Sequence, residues 1–500
     1  MREILNNAEQ RRIKLVELMY FYGNSVDKNT MLSELKCKES SIRADIDYLN
    51  ENFGNIFYLQ MLNNKITLKY LKKASISNFF YEVLNISPIF NLVESVFFKK
   101  TKTINELSDQ LFTSISTIYR MIEKLNIATK KNYDIYLDTK DLVFVGDENN
   151  IRSFFIQYFS EKYGFSNWPF DDNYYNNFVD LIKYIHEIAK IELIYCDLNS
   201  IMMVSMINLY RYKQGFLIKS KKDKVIPSKF YLSLIENPEH EKRIKQLTSK
   251  LNIPHDYRAY EEIFGFFMRD DFASSFDEII HNSNNGNSFE KSLVKIMKFT
   301  YTLNIKYWIK LPNLDDLVVR LHNGCILFNT LPNSNSIFFD RNRLYTEKMY
   351  SRFPDFVTDV RQHLVEYIEE LKGKSTEKEV DYLTYLFFTV WKDLIPQLYK
   401  RVRKIKVLVI SRYNYFHSRS VQDQLKLFFD FFMDITLCEE ESIDLEYLEN
   451  SDYDLIISDY NLPENIDKEW IHIHGNHSIG DYKYIIDTIY KILDVMENNI

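Results

Sequence analysis

Apolar residues recur at three- and four-residue spacing along most of this chain. One short version of the pattern occurs twice, 76 positions apart. The first copy runs Leu35, Ser40-Ser41-Ile42, Ile46 and Leu49-Asn50; the second runs Leu111, Ser116-Thr117-Ile118, Ile122 and Leu125-Asn126. Each has an amphipathic segment, a proline-free break and a second amphipathic segment that opens on hydroxyl residues. Ile42, Ile46 and Leu49 fall on one helical face, as do Ile118, Ile122 and Leu125. This is the layout of a helix-turn-helix, whose second helix can lie in a DNA major groove. Both copies are followed by paired β-type runs, Ile56–Leu59 with Ile66–Leu68 and Ile135–Leu137 with Leu142–Val145, which predict a hairpin or wing after each.

Other elements fill in around the repeat. Residues 9–22 and Ile89–Phe98 predict helices, and Asp27 or Thr30 is placed to cap the helix bearing Met31, Leu32 and Leu35. Ser40 or Ser41 is the expected cap of the first recognition helix. Gly146–Asn150 reads as a polar turn closing the second unit. From residue 151 to about 400 the helical period dominates, with Phe178, Leu181, Ile182, Ile185 and Ile188 on one face. His281–Ser288 is the clearest linker and divides that region into two helical halves. The last hundred residues change character. Ile405–Ile410, Asp434–Leu437 and Asp454–Ser458 predict strands, with helices near Ser420–Phe432 and Ile485–Met496, as in a small parallel α/β domain. The expected fold class is mainly α. Its parts are winged helix-turn-helix units at 1–72 and 73–150, helical bundles at 151–281 and 282–402, and a parallel α/β domain at 403–500.

Composition narrows the function. With 11 Gly and 10 Pro in 500 residues, β-sandwiches and glycine-rich phosphate loops are disfavoured. No apolar run approaches the ~20 residues of a membrane span, and the N-terminus has no signal-peptide core. Cys37, Cys196, Cys325 and Cys438 are too scattered for a disulfide framework or a Cys-x-x-Cys metal site, so a reduced, cytoplasmic setting is expected. Residues 1–150 carry 20 Lys and Arg against 19 Asp and Glu, while the whole chain is at -7. Affinity for phosphates must therefore come from local patches.

Those patches are specific. In the second unit Ser116, Thr117, Tyr119 and Arg120 project from the first turn of the recognition helix. Lys124 lies one turn on, and Lys130 and Lys131 lie near the wing. Small hydroxyls allow close approach, Arg can bond a guanine edge and Lys holds phosphate. The first unit has Lys38, Ser40, Ser41 and Arg43, but also Glu39, Asp45 and Asp47, which repel phosphate if they face the duplex. The second unit is thus the expected stronger reader. Among the ten histidines, His322 near a helix end could be exposed enough to accept a phosphoryl group; His186 is the fallback. His472 and His474 share a face if they lie on a strand, with His477 nearby, but no Cys or carboxylate completes a metal set. Asp171-Asp172 and Asp315-Asp316 read as solvated charges. No Walker, nucleophile-elbow or zincin motif occurs, so no enzyme, cofactor or metal is implied.

Taken in order, the parts resemble the Mga/AtxA-type transcription regulators of low-GC Gram-positive bacteria. The likeness rests on Ser40–Asn50, Ser116–Arg120 and Val145–Arg152. It implies two winged helix-turn-helix units, two helical PTS regulation domains and a domain similar to the sugar-transport IIB component. It further implies a cytoplasmic activator that binds double-stranded DNA, receives phosphoryl groups from the PTS phosphocarrier protein, and forms a homo-oligomer, a dimer through the C-terminal domain. By position, His322 is the phosphoacceptor of the second regulatory domain. Two departures stand out. Relatives often carry a His after an Arg-x-x-x-Gly run, whereas Arg211–Gly215 is followed by Phe216. The loop after Ile410 is Ser411-Arg412-Tyr413-Asn414, without the Cys of a true IIB enzyme, which reads as a scaffold retained for association. The alternatives are a phosphotransferase-relay protein and an RNA-binding antiterminator. The missing Cys argues against the first and the helical N-terminal repeat against the second.

Overall fold

The sequence repeat becomes a repeat of three-dimensional devices. In this computed structural model α1 (Asn7–Phe21), α2 (Lys28–Leu35) and α3 (Glu39–Phe53) form the first head. Strands β1 (Ser25–Asp27), β2 (Phe57–Leu62) and β3 (Lys65–Tyr70) make its antiparallel wing, in the order β1-β3-β2. Helices α4 (Ile76–Ile86), α5 (Pro88–Phe97), α6 (Ile104–Gln110) and α7 (Ile115–Tyr133) form the second head, with the hairpin β4 (Tyr136–Asp138) and β5 (Val143–Val145). The structure describes residues 1–164, 168–189, 195–218, 229–332, 334–401, 403–438, 445–462, 466–473 and 479–497.

Three equivalences hold at the same 76-residue offset. Asp27 caps α2 by accepting from Asn29 and Thr30, and Thr103 caps α6 by accepting from Glu106. The inter-helix turns pass through left-handed residues, Lys36 at φ 47 and Phe112 at φ 51. Neither is Gly, so each turn carries roughly 1–2 kcal/mol of strain that the packed helix pair must hold. Finally, Asn50 and Asn126 each grip the backbone of their own wing. Asn50 Nδ2 donates to Leu59 O and Leu59 N–H donates to Asn50 Oδ1, both at 2.8 Å. Asn126 does the same with Leu137, at 3.0 and 2.7 Å.

Two details correct the expectations. Helix α3 starts at Glu39 with Lys38 at the cap position, so Ser40 and Ser41 sit in its first turn rather than capping it. Gly146–Asn150 is not a closing turn: Asp147 caps α8 (Glu148–Tyr163), which starts at once and crosses residue 150. Its partners explain why. Arg152 bonds Glu148 at 3.0 Å and Glu262 at 2.6 Å, while Arg211 holds Glu148 at 2.6 Å. All four side chains are buried, so each charge needs the others.

The helical region continues with α9 (Asp172–Ala189), α10 (Tyr195–Lys213), α11 (Lys229–Ile235), α12 (Pro238–Lys250), α13 (Tyr257–Phe264) and α14 (Phe276–Asn282). After the linker come α15 (Ser288–Tyr307), α16 (Leu314–Ile326), α17 (Arg341–Tyr350), α18 (Pro354–Lys372) and α19 (Glu377–Val390). Gly324 lets α16 close on α19, because a Cβ there would stand 2.5 Å from the Leu386 side chain. Residues 1–302 and 312–391 form one compact unit. Within it, residues 337–339 reach into the heads. Phe339 stacks on Phe80 of α4 at 4.6 Å and Phe338 meets Phe90 of α5 edge-on at 5.1 Å.

A second unit comprises residues 303–311 and 392–500. It contains α20 (Leu394–Tyr399), β6 (Ile405–Ile410), α21 (Tyr415–Phe429), β7 (Met433–Leu437), α22 (Leu445–Asn450), β8 (Leu455–Ser458), β9 (Trp470–His472) and α23 (Ile479–Glu497). The four strands are parallel in the order β7-β6-β8-β9, and α21 and α23 cover one face. Strand β9 holds His472; His474 and His477 lie outside the described residues. No metal-binding cluster occurs among the described residues.

The amide clamps predict a local effect. Asn126→Leu leaves Leu137 N–H and C=O without their partner, at about 1–3 kcal/mol. Hydrogen exchange of the Leu137 amide in the full chain should then quicken by roughly one order of magnitude, with α9 and α10 unchanged.

Candidate nucleic-acid interface

Helix α7 turns one face to the core and leaves the other clear. Ile118, Met121, Ile122, Leu125 and Ala128 are buried, whereas Ser116, Tyr119, Arg120, Lys124 and Lys130 are exposed. Ser114 caps the helix and accepts from Thr117 N–H, so Ser116 and Thr117 occupy the open first turn. Arg120 Nη2 donates to Thr117 Oγ1 at 3.2 Å, which steadies the guanidinium without neutralising it. Neither Arg120 nor Lys124 forms an ion pair among the described residues. Lys130 and Lys131 differ. They stand in the last turn of α7, about 20 Å along the axis from Ser116. Lys130 pairs with Asp134 at 2.5 Å and Lys131 with Glu3 at 3.0 Å.

On α3 the exposed face bears Lys38, Ser40, Arg43 and Asp47, with Ser41 half-buried. Arg43 is bound back to Glu39 at 2.6 Å, and Lys28 reaches the same carboxylate at 2.9 Å. These two cations hold the Glu39 carboxyl below its usual range. Asp45, expected as a possible repellent of phosphate, is buried instead. It shares the inward face with Ile42 and Leu49 and accepts from Arg11 at 2.5 Å and Arg12 at 3.0 Å. The recognition face of the first head is therefore less basic than its composition suggests.

Its wing supplies what the helix lacks. On β3, Ile66 and Leu68 point inward while Lys65, Thr67 and Lys69 are exposed, and exposed Lys72 and Lys73 follow. None of these lysines has an ion pair among the described residues. The helical motif does not single them out, although the two-residue alternation of Lys with Ile and Leu is visible in the sequence. The second wing is mixed in charge: Asp138 accepts from the amides of Lys140 and Asp141, and exposed Lys140 and Asp141 share its tip. Each head thus presents one basic surface, the wing in the first and the recognition helix in the second.

The expected phosphoacceptors sit elsewhere. His322 is fully buried, a correction to the exposed imidazole anticipated from its place near a helix end. Val318, His322 and Cys325 share the inward face of α16, a spacing that marks a core position. The ring is held at both nitrogens. Nε2 lies 2.7 Å from the Asp271 carbonyl, which only accepts, so Nε2 carries the proton. Nδ1 then accepts from Ser292 Oγ at 2.7 Å, and Ser292 accepts from Tyr367 OH at 2.8 Å. Asn323 extends the grip by pairing both ways with the Ala273 backbone at 3.0 and 2.7 Å. Residues 271–273 are thereby tied to α16. His186 is also buried, edge-on to Phe267 at 5.3 Å. Phe216, which follows Arg211–Gly215, lies over the Arg211 guanidinium at 3.8 Å, with Lys99 Nζ at 4.9 Å.

In the α/β unit, the loop after β6 is closed by an internal carboxylate. Asp459 accepts from Ser411 Oγ at 2.5 Å and from the Arg412 amide at 2.9 Å, occupying donors that a phosphate cradle would need free.

Two recognition heads with free basic surfaces, joined to paired helical bundles, define a DNA-binding regulator with a sensory middle. Comparison with known proteins agrees. The Mga helix-turn-helix domain matches residues 64–159, and the M protein trans-acting positive regulator (MGA) PRD domain matches residues 172–394. A Streptococcus pneumoniae serotype 4 protein described as a trans-acting regulator is 25% identical over 481 residues, 96% of this chain and 97% of its own. The capsule synthesis positive regulators AcpA and AcpB of Bacillus anthracis are 26% and 21% identical, over 44% and 47% of each chain. The chain thus carries an Mga-type helix-turn-helix domain and an Mga-type PRD domain, an arrangement that fits the Mga/AtxA-type regulators.

Burial lowers the His322 pKa from 6.5, so the folded protein binds this proton less readily than the unfolded chain. The stability it contributes is present above about pH 6.5 and declines as pH falls below it. Between pH 7.5 and 5.5 (roughly one unit either side of that value), the melting temperature should fall more for the natural chain than for His322→Gln.

Proposed function

We propose that this protein is a transcriptional activator that grips double-stranded DNA with two unlike heads. The observation that carries the reading is the free face of α7, with Ser116, Tyr119, Arg120 and Lys124 exposed and the two cations unpaired. In this reading Arg120 reads a base edge while Lys124 and the wing lysines Lys65 and Lys69 hold phosphates. Lys38, Ser40, Ser41 and Arg43 approach the backbone after Arg43 exchanges Glu39 for phosphate. Lys130 and Lys131 steady the far end of α7. The five-part division at 72, 150, 281 and 402 describes the chain's functional modules.

The helical middle is the sensor. Control by the phosphocarrier of a sugar phosphotransferase system fits the family, with His322 the candidate acceptor and His186 the fallback. A phosphoryl group on His322 requires the ring to leave Asp271 and Ser292, so modification is coupled to release of residues 271–273. A relay enzyme is disfavoured by the closed loop at Asp459. The C-terminal unit serves association, and α21 has the surface for it: Phe416 is 77% and Leu427 81% exposed, with Phe428 beside them. A cytoplasmic homodimer joined there is the arrangement this supports.

Two experiments test the reading. In shift assays across a salt series, Arg120→Ala should cost about 1–3 kcal/mol on a specific site. Lys124→Ala should lower the salt slope by ~1 and Lys65→Ala with Lys69→Ala by ~2. Unchanged binding in all three would remove these surfaces from the interface. For self-association, Leu427→Asp should convert dimer to monomer in light scattering without lowering the melting temperature.

A further inference from the structure

The free face of α7 holds two exposed residues besides its cations, Glu123 and Ile127. Arg120, Glu123 and Ile127 lie within about 60° of one another around the helix axis, opposite buried Ile118 and Leu125. With Lys124 they form a three-, four- and seven-residue series, the spacing at which a helix lying in a major groove reads successive bases from one row. With α7 as the DNA-facing helix of the reading above, we infer that Glu123 and Ile127 extend the base-reading row begun by Arg120. Ile127 packs on a thymine methyl and Glu123 accepts from a cytosine amino group.

Neither side chain suits a phosphate. Glu123 is exposed and forms no ion pair among the described residues, and a free carboxylate repels the DNA backbone. On a base edge it has a partner, because the N4 amino group of cytosine donates to carboxylates. Ile127 is 63% exposed, and it is not isolated. With Tyr119, Ile122 and Tyr136 it lines an open groove of about 580 Å3 between the helix and β4. Of the four bases, only thymine presents an apolar group in the major groove, its C5 methyl.

The first head is an internal control. At the 76-residue offset Arg120, Glu123 and Ile127 correspond to Ala44, Asp47 and Glu51, all exposed. The same scaffold thus forms with a carboxylate where Ile127 stands, so the isoleucine answers no demand of the fold. It answers a demand of the surface, and that surface is continuous with the unpaired cations Arg120 and Lys124. A protein seated on the groove would have to face those cations. Duplex DNA supplies a phosphate for Lys124 and a guanine edge for Arg120 beside the methyl. Arg120 and Ile127 are about 10 Å apart along the axis, the rise of three base pairs.

The test starts from duplexes that the full chain selects out of a random pool. Thymines of the best site are then replaced singly by deoxyuridine, each replacement removing one methyl. At one position the replacement should weaken binding about fourfold, as expected for one buried methyl, and in Ile127→Ala that penalty should vanish. Glu123→Gln should change one preferred base from cytosine to adenine, which an amide bonds bidentately. Both positions should fall within about four base pairs of the guanine read by Arg120. Should Ile127→Ala fail to fold, Ile127→Glu, which copies the first head, replaces it. The inference is overturned if every deoxyuridine duplex binds like its parent, if Ile127→Ala keeps the penalty because the groove faces a protein instead, or if Glu123→Gln leaves the base preference unaltered. Arg120→Ala and Lys124→Ala would still weaken binding in those cases, whereas a chain that selects no duplex at all would sink the regulator reading and this inference together.

Discussion

Glu161 is the constraint around which the first unit is organised. It sits on α8, the helix that follows the second wing. A carboxylate in that setting is costly unless donors converge on it. Three do, and all are backbone amides of residues 337–339, some 180 positions away in the chain. Those amides equally need an acceptor. The mutual requirement fixes the segment, and fixing it places Phe338 and Phe339 among the aromatic side chains of α4 and α5. Residues 337–339 are thereby part of the same apolar core as the heads.

The heads themselves illustrate how one duplicated scaffold supports two modes of contact. Both use the same cap, the same left-handed turn residue position and the same asparagine clamp on the wing. Those shared features concern shape. The exposed residues differ: basic charge lies on the wing in the first head and on the helix in the second.

His322 shows how a histidine can be structural at rest. Its tautomer is fixed by a carbonyl on one side and a hydroxyl chain through Ser292 and Tyr367 on the other. Together with Asn323 it ties the end of the first bundle region to α16. Both ring nitrogens are occupied in this state, so the imidazole is a structural strut here.

Much of this was written in local pattern. The duplicated helix-turn-helix units, both wings and the parallel strands at the C-terminus follow from three- and two-residue periodicities and from a cap such as Asp27. Each depends on residues within a few turns of one another. Short-range pattern was silent on partners far away in the chain. Asp45 looked like a surface carboxylate until Arg11 and Arg12 came to meet it. His322 looked exposed until Asp271 and Ser292 closed on its two nitrogens, and Arg43 looked free until Glu39 claimed it. The linear chain determined which faces are apolar. Only the tertiary structure decided which charges are neutralised and which rings are sealed, because those outcomes depend on groups brought together by packing rather than by order.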